Sequence, residues 1–339
     1  MNRIYSIEIL RGIAAWLVVM HHYNQVFFRW DMSSSILGDA FGYFTTHYAK
    51  LGVDVFFVIS GFIITLTSLN TSSAVTFLLK RYIRIVPAYW FFTLALIPMC
   101  YILSPENVYT DWTFSSLIKS LLFIPHENPS RYLGVFPFLS VGWTLNFEMF
   151  FYLLFAIFIA KLGRYASLVI IPLLIVLPSI WPLDWPFSII ASSPYLYEFA
   201  LGVMLCLVYL CRLEEPNKLW VILILLVTVF FFALGGAQDY KFISVPLLVY
   251  WCLSINNDFS NTGKKIATYL GSRSYSVYLS HPLVLYMLNE YGQGLLKENE
   301  FLFLIIYILS ILVLSEFSVR IVESNRLVDK IRGKINHAQ

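Results

Sequence analysis

The sequence predicts an all-α, polytopic integral membrane protein of about ten transmembrane helices with both termini in the cytoplasm. Three observations carry that expectation. Of 339 residues, 59% are hydrophobic and 13% charged, and the mean hydropathy is +0.72, whereas a soluble domain is roughly a quarter charged. Such a chain cannot cover its apolar surface in water, so lipid is the solvent for most of it. Apolar runs of about 17 to 25 residues, the length that spans a bilayer, fall near 9–28, 52–69, 86–103, 143–160, 166–181, 189–211, 218–234, 242–255, 268–288 and 301–322, the eighth being short. Basic residues also alternate along the connections. One set holds Arg3; Lys80, Arg81 and Arg84; Lys161 and Arg164; Arg212 and Lys218; Lys264 and Lys265; and Arg326, Lys330, Arg332 and Lys334. The other holds Arg29 and Lys50, Lys119 and Arg131, Lys241, and Lys297. The richer set marks the cytoplasmic side.

The first run, "RGIAAWLVVMHH", carries Arg11 and His22 eleven positions apart. At ~100° per residue they return to within roughly 20° of one face, about 16 Å apart along the axis. Arg11 then lies near the cytoplasmic boundary and His22 in the outer half of the bilayer, with His21 about 100° off that stripe. Arg11 either snorkels to headgroups or faces the interior; His22 snorkels less easily, and ionisable groups inside spans mark functional sites by default. Glu8 and Arg11 interrupt the apolar stretch and no small-residue cleavage site closes it, so the segment reads as a retained helix and not a cleavable signal.

The second run, "LGVDVFFVISGFIIT", places Asp54 near the outer face and Ser60–Gly61 mid-membrane, where small residues let helices approach closely. Before the third run, "LLKRYIRIVPAYW" puts Arg81 and Arg84 three apart on one helical face with Lys80 beside them. Guanidiniums suit phosphate oxygens bidentately, while a plain headgroup-binding cluster is the competing reading. The stretch 113–124 is too short to span, so it lies at the interface or re-enters. The fourth run, "GWTLNFEMFFYLLF", carries Glu148 with Trp143 and Asn146 before it and Tyr152 one turn on. A carboxylate there faces the bundle and pairs, with Arg11, His22 or an arginine of another helix. The ninth, "SRSYSVYLSHPLVLY", places His281 beside Pro282 with Tyr278 one turn before, where a cavity-lining and a packing role stand equally.

The four cysteines, Cys100, Cys206, Cys211 and Cys252, lack metal-ligand spacing, so neither a disulfide framework nor a metal site is expected. The net charge of +3 without a long basic run excludes nucleic acid as the implied partner.

At these residues the chain resembles the membrane acyltransferase family 3, and within it the bacterial exopolysaccharide and O-antigen O-acetyltransferases. "IEILRGIAAWLVVMHH", "GVDVFFVISGFIIT", "LLKRYIRIVPAYW", "GWTLNFEMFFYLL" and "SYSVYLSHPLVL" occur in the family's order, and "VRIVESNRL" resembles its closing segment. The family's arginine–ten residues–histidine pattern is matched by Arg11 and His22, and its R-x-x-R pattern by Arg81 and Arg84. The resemblance implies one acyltransferase domain over 1–339 in a bacterial inner membrane. It also implies no permanently bound cofactor: acetyl-CoA or another acyl-CoA is a co-substrate, and the acyl group goes to a hydroxyl of a glycan or lipid-linked sugar. Arg81, Arg84 and Lys80 would hold the coenzyme. Arg11, His22 and Glu148 would carry the chemistry, with His22 as general base or acyl acceptor. Asp54, Trp143, Tyr278 and His281 would line the substrate path. Two departures stand out: no periplasmic domain is appended, and "WTLNFEMFFY" replaces the paired acids many members carry after the tryptophan. From a different class, a secondary transporter of an anionic metabolite would use the same charges, but such folds show paired repeats, and none is visible here.

Overall fold

The computed structural model describes residues 3–69, 73–103, 112–128, 134–184, 187–211, 217–234, 239–255 and 259–323. Arg131, Arg212, Arg326, Lys330, Arg332 and Lys334, used above for orientation, lie outside them, as does the end of the closing segment.

Among the described residues the protein is all helical, with one isolated antiparallel bridge between Glu127 and Val135. The helices are α1 (Tyr5–Tyr23), α2 (Gly38–His47), α3 (Leu51–Ser68), α4 (Ala74–Ile102), α5 (Phe114–Leu121), α6 (Trp143–Leu162), α7 (Ala166–Ile180), α8 (Ser188–Ala191), α9 (Tyr195–Cys211), α10 (Lys218–Leu234), α11 (Lys241–Ser254), α12 (Asn261–Tyr291), α13 (Gln293–Glu298) and α14 (Glu300–Phe317). Each apolar run named above meets helix. Four segments, Leu51–Ser68, Ala74–Ile102, Ser140–Leu162 and Glu300–Glu323, are long and apolar enough to cross a membrane; α7, α9, α11 and most of α10 are shorter apolar helices. The expected single span at 189–211 is divided, because Pro194 offers no N–H and restrains the residue before it, so α9 starts afresh at Tyr195. The third run starts earlier than its apolar stretch: α4 begins at Ala74, which takes Lys80, Arg81 and Arg84 into the helix.

The chain divides into two compact units. The first comprises Met1–His21, Phe44–Phe77 and Phe150–Ser274. Its core joins Ile7, Leu10 and Ala14 to Leu51, Val55, Val58, Ile59 and Phe62 of α3, Cys206 of α9, and Val245 and Val249 of α11. Helices α3 and α9 approach so closely that a Cβ at Gly61 would stand 2.2 Å from the Phe199 carbonyl oxygen, and one at Gly202 would stand 2.1 Å from that of Val58. The packing role expected of Gly61 is therefore met by a second glycine the sequence did not announce. Gly202→Val should destabilise the protein by about 1–3 kcal/mol or more, since the obstructing atoms are backbone; thermal unfolding in detergent would measure it, and an unchanged midpoint would refute the close crossing.

In the same unit, α3, α9 and α11 all begin at one place. Lys241 Nζ lies 2.6 Å from Asp54 Oδ1 and 2.6 Å from Glu198 Oε1, with side-chain exposures of 11%, 5% and 2% for Lys241, Asp54 and Glu198. The ammonium also stands 4.7 Å from the centre of the Tyr195 ring. Carboxylates in the first turns of α3 and α9 meet the positive ends of those helices as well as the lysine.

The second unit comprises His22–Tyr43, Leu78–Met149 and Tyr275–Gln339. Here α4 and α12 run side by side: the Tyr275 hydroxyl donates to the Ile85 carbonyl (2.8 Å) and the Tyr291 hydroxyl to that of Ile102 (3.1 Å). The 112–142 segment packs well below their far ends. Tyr89 donates to the Ser120 carbonyl (3.1 Å), Trp90 Nε1 to that of Leu121 (2.9 Å), and the Tyr89 ring stacks on Phe123 at 4.8 Å. Gly142 lets α6 start against Tyr89, whose ring would lie 2.6 Å from an added Cβ. Packing at mid-length of α4 agrees with the re-entrant placement expected as one of two for 113–124. The segment satisfies its own polar groups. Phe138 N–H donates to Ser120 Oγ (2.7 Å), which lies 3.2 Å from His126 Nε2, while the other ring nitrogen of His126 bonds the Ile124 carbonyl (2.9 Å).

Candidate active site

The second unit brings His281, and beside it Tyr278, to His22 in the last turn of α1. That turn ends in His22 and runs into a π-helical segment, Asn24–Phe28, of the kind often found at functional sites. Two contacts hold it. Asn24 Nδ2 donates to the Gly42 carbonyl at 3.2 Å, and Tyr23 is fully buried with its ring 5.2 Å from that of Tyr307. The chain then turns through two left-handed residues, Arg29 and Trp30.

His22 faces a second imidazole. His22 Nδ1 lies 3.3 Å from His281 Nε2, with ring centres 5.0 Å apart and planes at 40°. His281 is fully buried, and its Nδ1 lies 2.6 Å from the Tyr278 carbonyl oxygen. The Tyr278 hydroxyl in turn donates to the Val141 carbonyl (2.8 Å) and lies 3.1 Å from Thr144 Oγ1, which fixes the start of α6 against α12. Trp143 meets Phe147 edge-on at 5.6 Å. Glu148 follows Thr144 by four residues and therefore shares its face of α6, one turn further along.

Position 275 of α12 reaches α4 at Ile85, next to Arg84, and position 281 reaches His22. These two points are six residues, about 9 Å, apart along α12. Arg81 is buried to 8% exposure one turn before Ile85, with Lys80 beside it. One helix thus connects the level of the arginines to the level of the imidazoles.

The remaining expected residues belong to the first unit. Arg11 lies on the same helix as His22 and bridges Glu8 at 3.6 Å; Glu8 also meets Arg3 at 3.6 Å. Asp54 is held by Lys241, as described. His21, the other member of the histidine pair, is engaged through Nδ1 with the Thr45 carbonyl at 2.8 Å, a fastening of the helix end. Sequence reasoning did not foresee that His281 is the partner of His22. The only available signal was the His–Pro dipeptide in an otherwise regular helix. Among the described residues no group of three His, Cys, Asp or Glu side chains is placed to hold a metal ion.

A family model for the acyltransferase domain, Acyl_transf_3, matches residues 4–316. The chain belongs to the acyltransferase-3 family. It is 31% identical over 257 residues to the exopolysaccharide production protein ExoZ of Rhizobium meliloti (strain 1021), covering 71% of this chain and 78% of that one. It is 23% identical over 321 residues to nodulation protein 10 of Rhizobium leguminosarum bv. viciae, covering 85% and 84%. No solved structure matches. Almost every helix lies within the stretch matched as an acyltransferase domain, including both histidines of the pair, all three basic residues of α4 and Glu148. The chain is thus a membrane acyltransferase.

Proposed function

We propose that the protein transfers an acyl group, most simply acetyl, from cytosolic acyl-CoA to a hydroxyl of an exopolysaccharide or of its lipid-linked precursor, with His22 as general base. The reading is carried by one observation, the His22–His281 pair standing on the same face-to-face run of α12 and α4 that holds Arg84 and Arg81. In a bacterial inner-membrane, ten-span arrangement with both termini cytoplasmic, α3, α9 and α11 would run the same way, and their common starting level agrees with that one point. The arrangement places Arg81 and Arg84 at the cytosolic entrance and the imidazoles about 9 Å to 15 Å deeper.

The chemistry divides among the residues as follows. The guanidiniums of Arg81 and Arg84, with Lys80, hold the coenzyme's phosphates. Its extended thiol arm lies along α12 and brings the thioester to the imidazoles. The sugar hydroxyl attacks the thioester carbonyl: a C–O bond forms, the C–S bond breaks, and the hydroxyl proton passes to His22 and from there to the departing thiolate. Glu148 orients the acceptor or the imidazole from α6. The transporter alternative loses its footing once the chain falls in an acyltransferase family. Lipopolysaccharide is a second acceptor class of the same chemistry, and the name of the relative from Rhizobium meliloti favours exopolysaccharide.

The test is the mass of the producing cell's polysaccharide with and without the gene, together with labelled acetyl-CoA supplied to inside-out vesicles. An added 42 Da per modified sugar is the calculated shift for acetylation. Its absence, with no other acyl increment, would overturn the reading. Replacing both arginines, Arg81→Gln with Arg84→Gln, should raise the KM for the coenzyme by at least about tenfold, since each charge-assisted bond contributes roughly 1.5–3 kcal/mol, and leave the KM for the sugar unchanged. An unaltered coenzyme KM would return the pair to a headgroup-binding role.

A further inference from the structure

We infer that His281 and Pro282 set the tautomer of His22, so that the second histidine is a positioning residue for the first. The inference rests on the proposed role of His22 and follows from counting hydrogens along α12. In a regular helix the N–H of residue 282 would donate to the carbonyl of residue 278. Pro282 has no N–H, so that carbonyl is released within the helix interior. His281 Nδ1, 2.6 Å away, supplies a donor to that carbonyl, and losing a buried acceptor's donor generally costs about 1–3 kcal/mol.

A carbonyl oxygen only accepts, so Nδ1 of His281 carries the hydrogen. The ring is fully buried, which disfavours charge, and a neutral imidazole with a hydrogen on Nδ1 has a lone pair on Nε2. That lone pair points at His22 Nδ1, 3.3 Å away. His22 must therefore donate from Nδ1, and its own lone pair sits on Nε2. The order proline, freed carbonyl, first imidazole, second imidazole leaves one assignment at each step. It gives His22 a defined basic nitrogen before any substrate arrives. When Nε2 of His22 takes the sugar's proton, the imidazolium formed still donates from Nδ1 to His281, now as a charge-assisted and stronger bond. The positioning partner thus favours the charge that develops in the transition state over the ground state. Partners that orient a metal-ligating histidine are worth about 10- to 100-fold, which sets the scale for an orienting partner here. Loss of the correct tautomer costs on the order of 10⁴ in kcat in a serine protease.

Two substitutions separate this role from a packing role. His281→Gln keeps an acceptor where Nε2 stood but leaves the Tyr278 carbonyl without its donor. His281→Asn does the opposite: its amide reaches the carbonyl from the place of Nδ1 and offers His22 no acceptor. We expect His281→Gln to keep kcat within a few fold and His281→Asn to lose about tenfold or more, both with unchanged KM for coenzyme and sugar. If His281 only packs, the order reverses, and that result overturns the inference. In nanodiscs with ¹⁵N-labelled histidine, the His22 resonance, assigned by its loss in His22→Ala, should report hydrogen on Nδ1 in the wild type and in His281→Gln. In His281→Asn it should report hydrogen on Nε2. A wild-type signal for hydrogen on Nε2 refutes the inference regardless of activity. Should His22→Ala remain active, the base assignment fails, and the NMR result still decides the tautomer; should it be inactive while His281→Asn is fully active, only the present inference falls.

Discussion

His22→Ala is expected to abolish acyl transfer while the protein remains in the membrane at its normal level. Positioned proton transfer contributes about 10²–10⁴ in rate, and a further loss follows if the imidazole also orders the hydroxyl against the thioester. The fold tolerates the change. Alanine is the best helix former, and α1 at this point is fastened by His21 to Thr45 and by Asn24 to Gly42 rather than by His22. The structural loss includes the hydrogen bond to His281, about 0.5–1.5 kcal/mol. Membrane yield, helical content and labelled-acetate incorporation, measured on the same preparations, check the outcome. A variant that still acylates at the wild-type rate removes the imidazole from the chemistry altogether.

Lys241→Met should have the largest effect on stability. It leaves Asp54 and Glu198, both buried, facing each other with no lysine between them. Removing one partner of a buried ionic group costs about 3–5 kcal/mol, because the stranded charge is neither solvated nor paired. Folded yield should collapse. Replacing all three at once, Lys241→Met with Asp54→Asn and Glu198→Gln, removes every charge and should recover most of it. Recovery in the triple variant with loss in the single one is the expected pattern in a thermal-shift series in detergent. Equal loss in both would mean that the three groups do more than neutralise one another.

Much of this was legible in the sequence, for a definite reason. Apolar runs of spanning length leave little freedom, so helix positions follow from composition: the run at 166–181 is α7 and that at 218–234 is α10. That Arg11 and His22 share one helix was legible too, and α1 contains both. Pairing between helices was not. Lys241 reads as an ordinary basic residue of a connection, yet the start of α11 carries it inward between two carboxylates that lie 187 and 43 residues away in sequence. Asp54, expected along a substrate path, is one of those two. His281 stood equally between cavity and packing until the structure set it against His22, 259 residues away. Hydropathy sees lengths and one-helix faces; it contains nothing about which side chains meet across a distance of this kind. The π-helical end of α1 depends on the same unseen contacts, with Tyr307 and Gly42.

The 112–142 segment has a consequence for a hydrophilic acceptor. Irregular backbone at such depth is tolerated in a membrane only where protein or water satisfies it, and here Tyr89, Trp90, Ser120 and Asn128 do so. On the proposed function, a sugar descending beside it would pass peptide dipoles and hydroxyl groups instead of alkyl chains, and would stay hydrated for much of the way. On the same reading its water would be shed late, at the imidazoles, where a drier surrounding would strengthen every charge that the reaction creates.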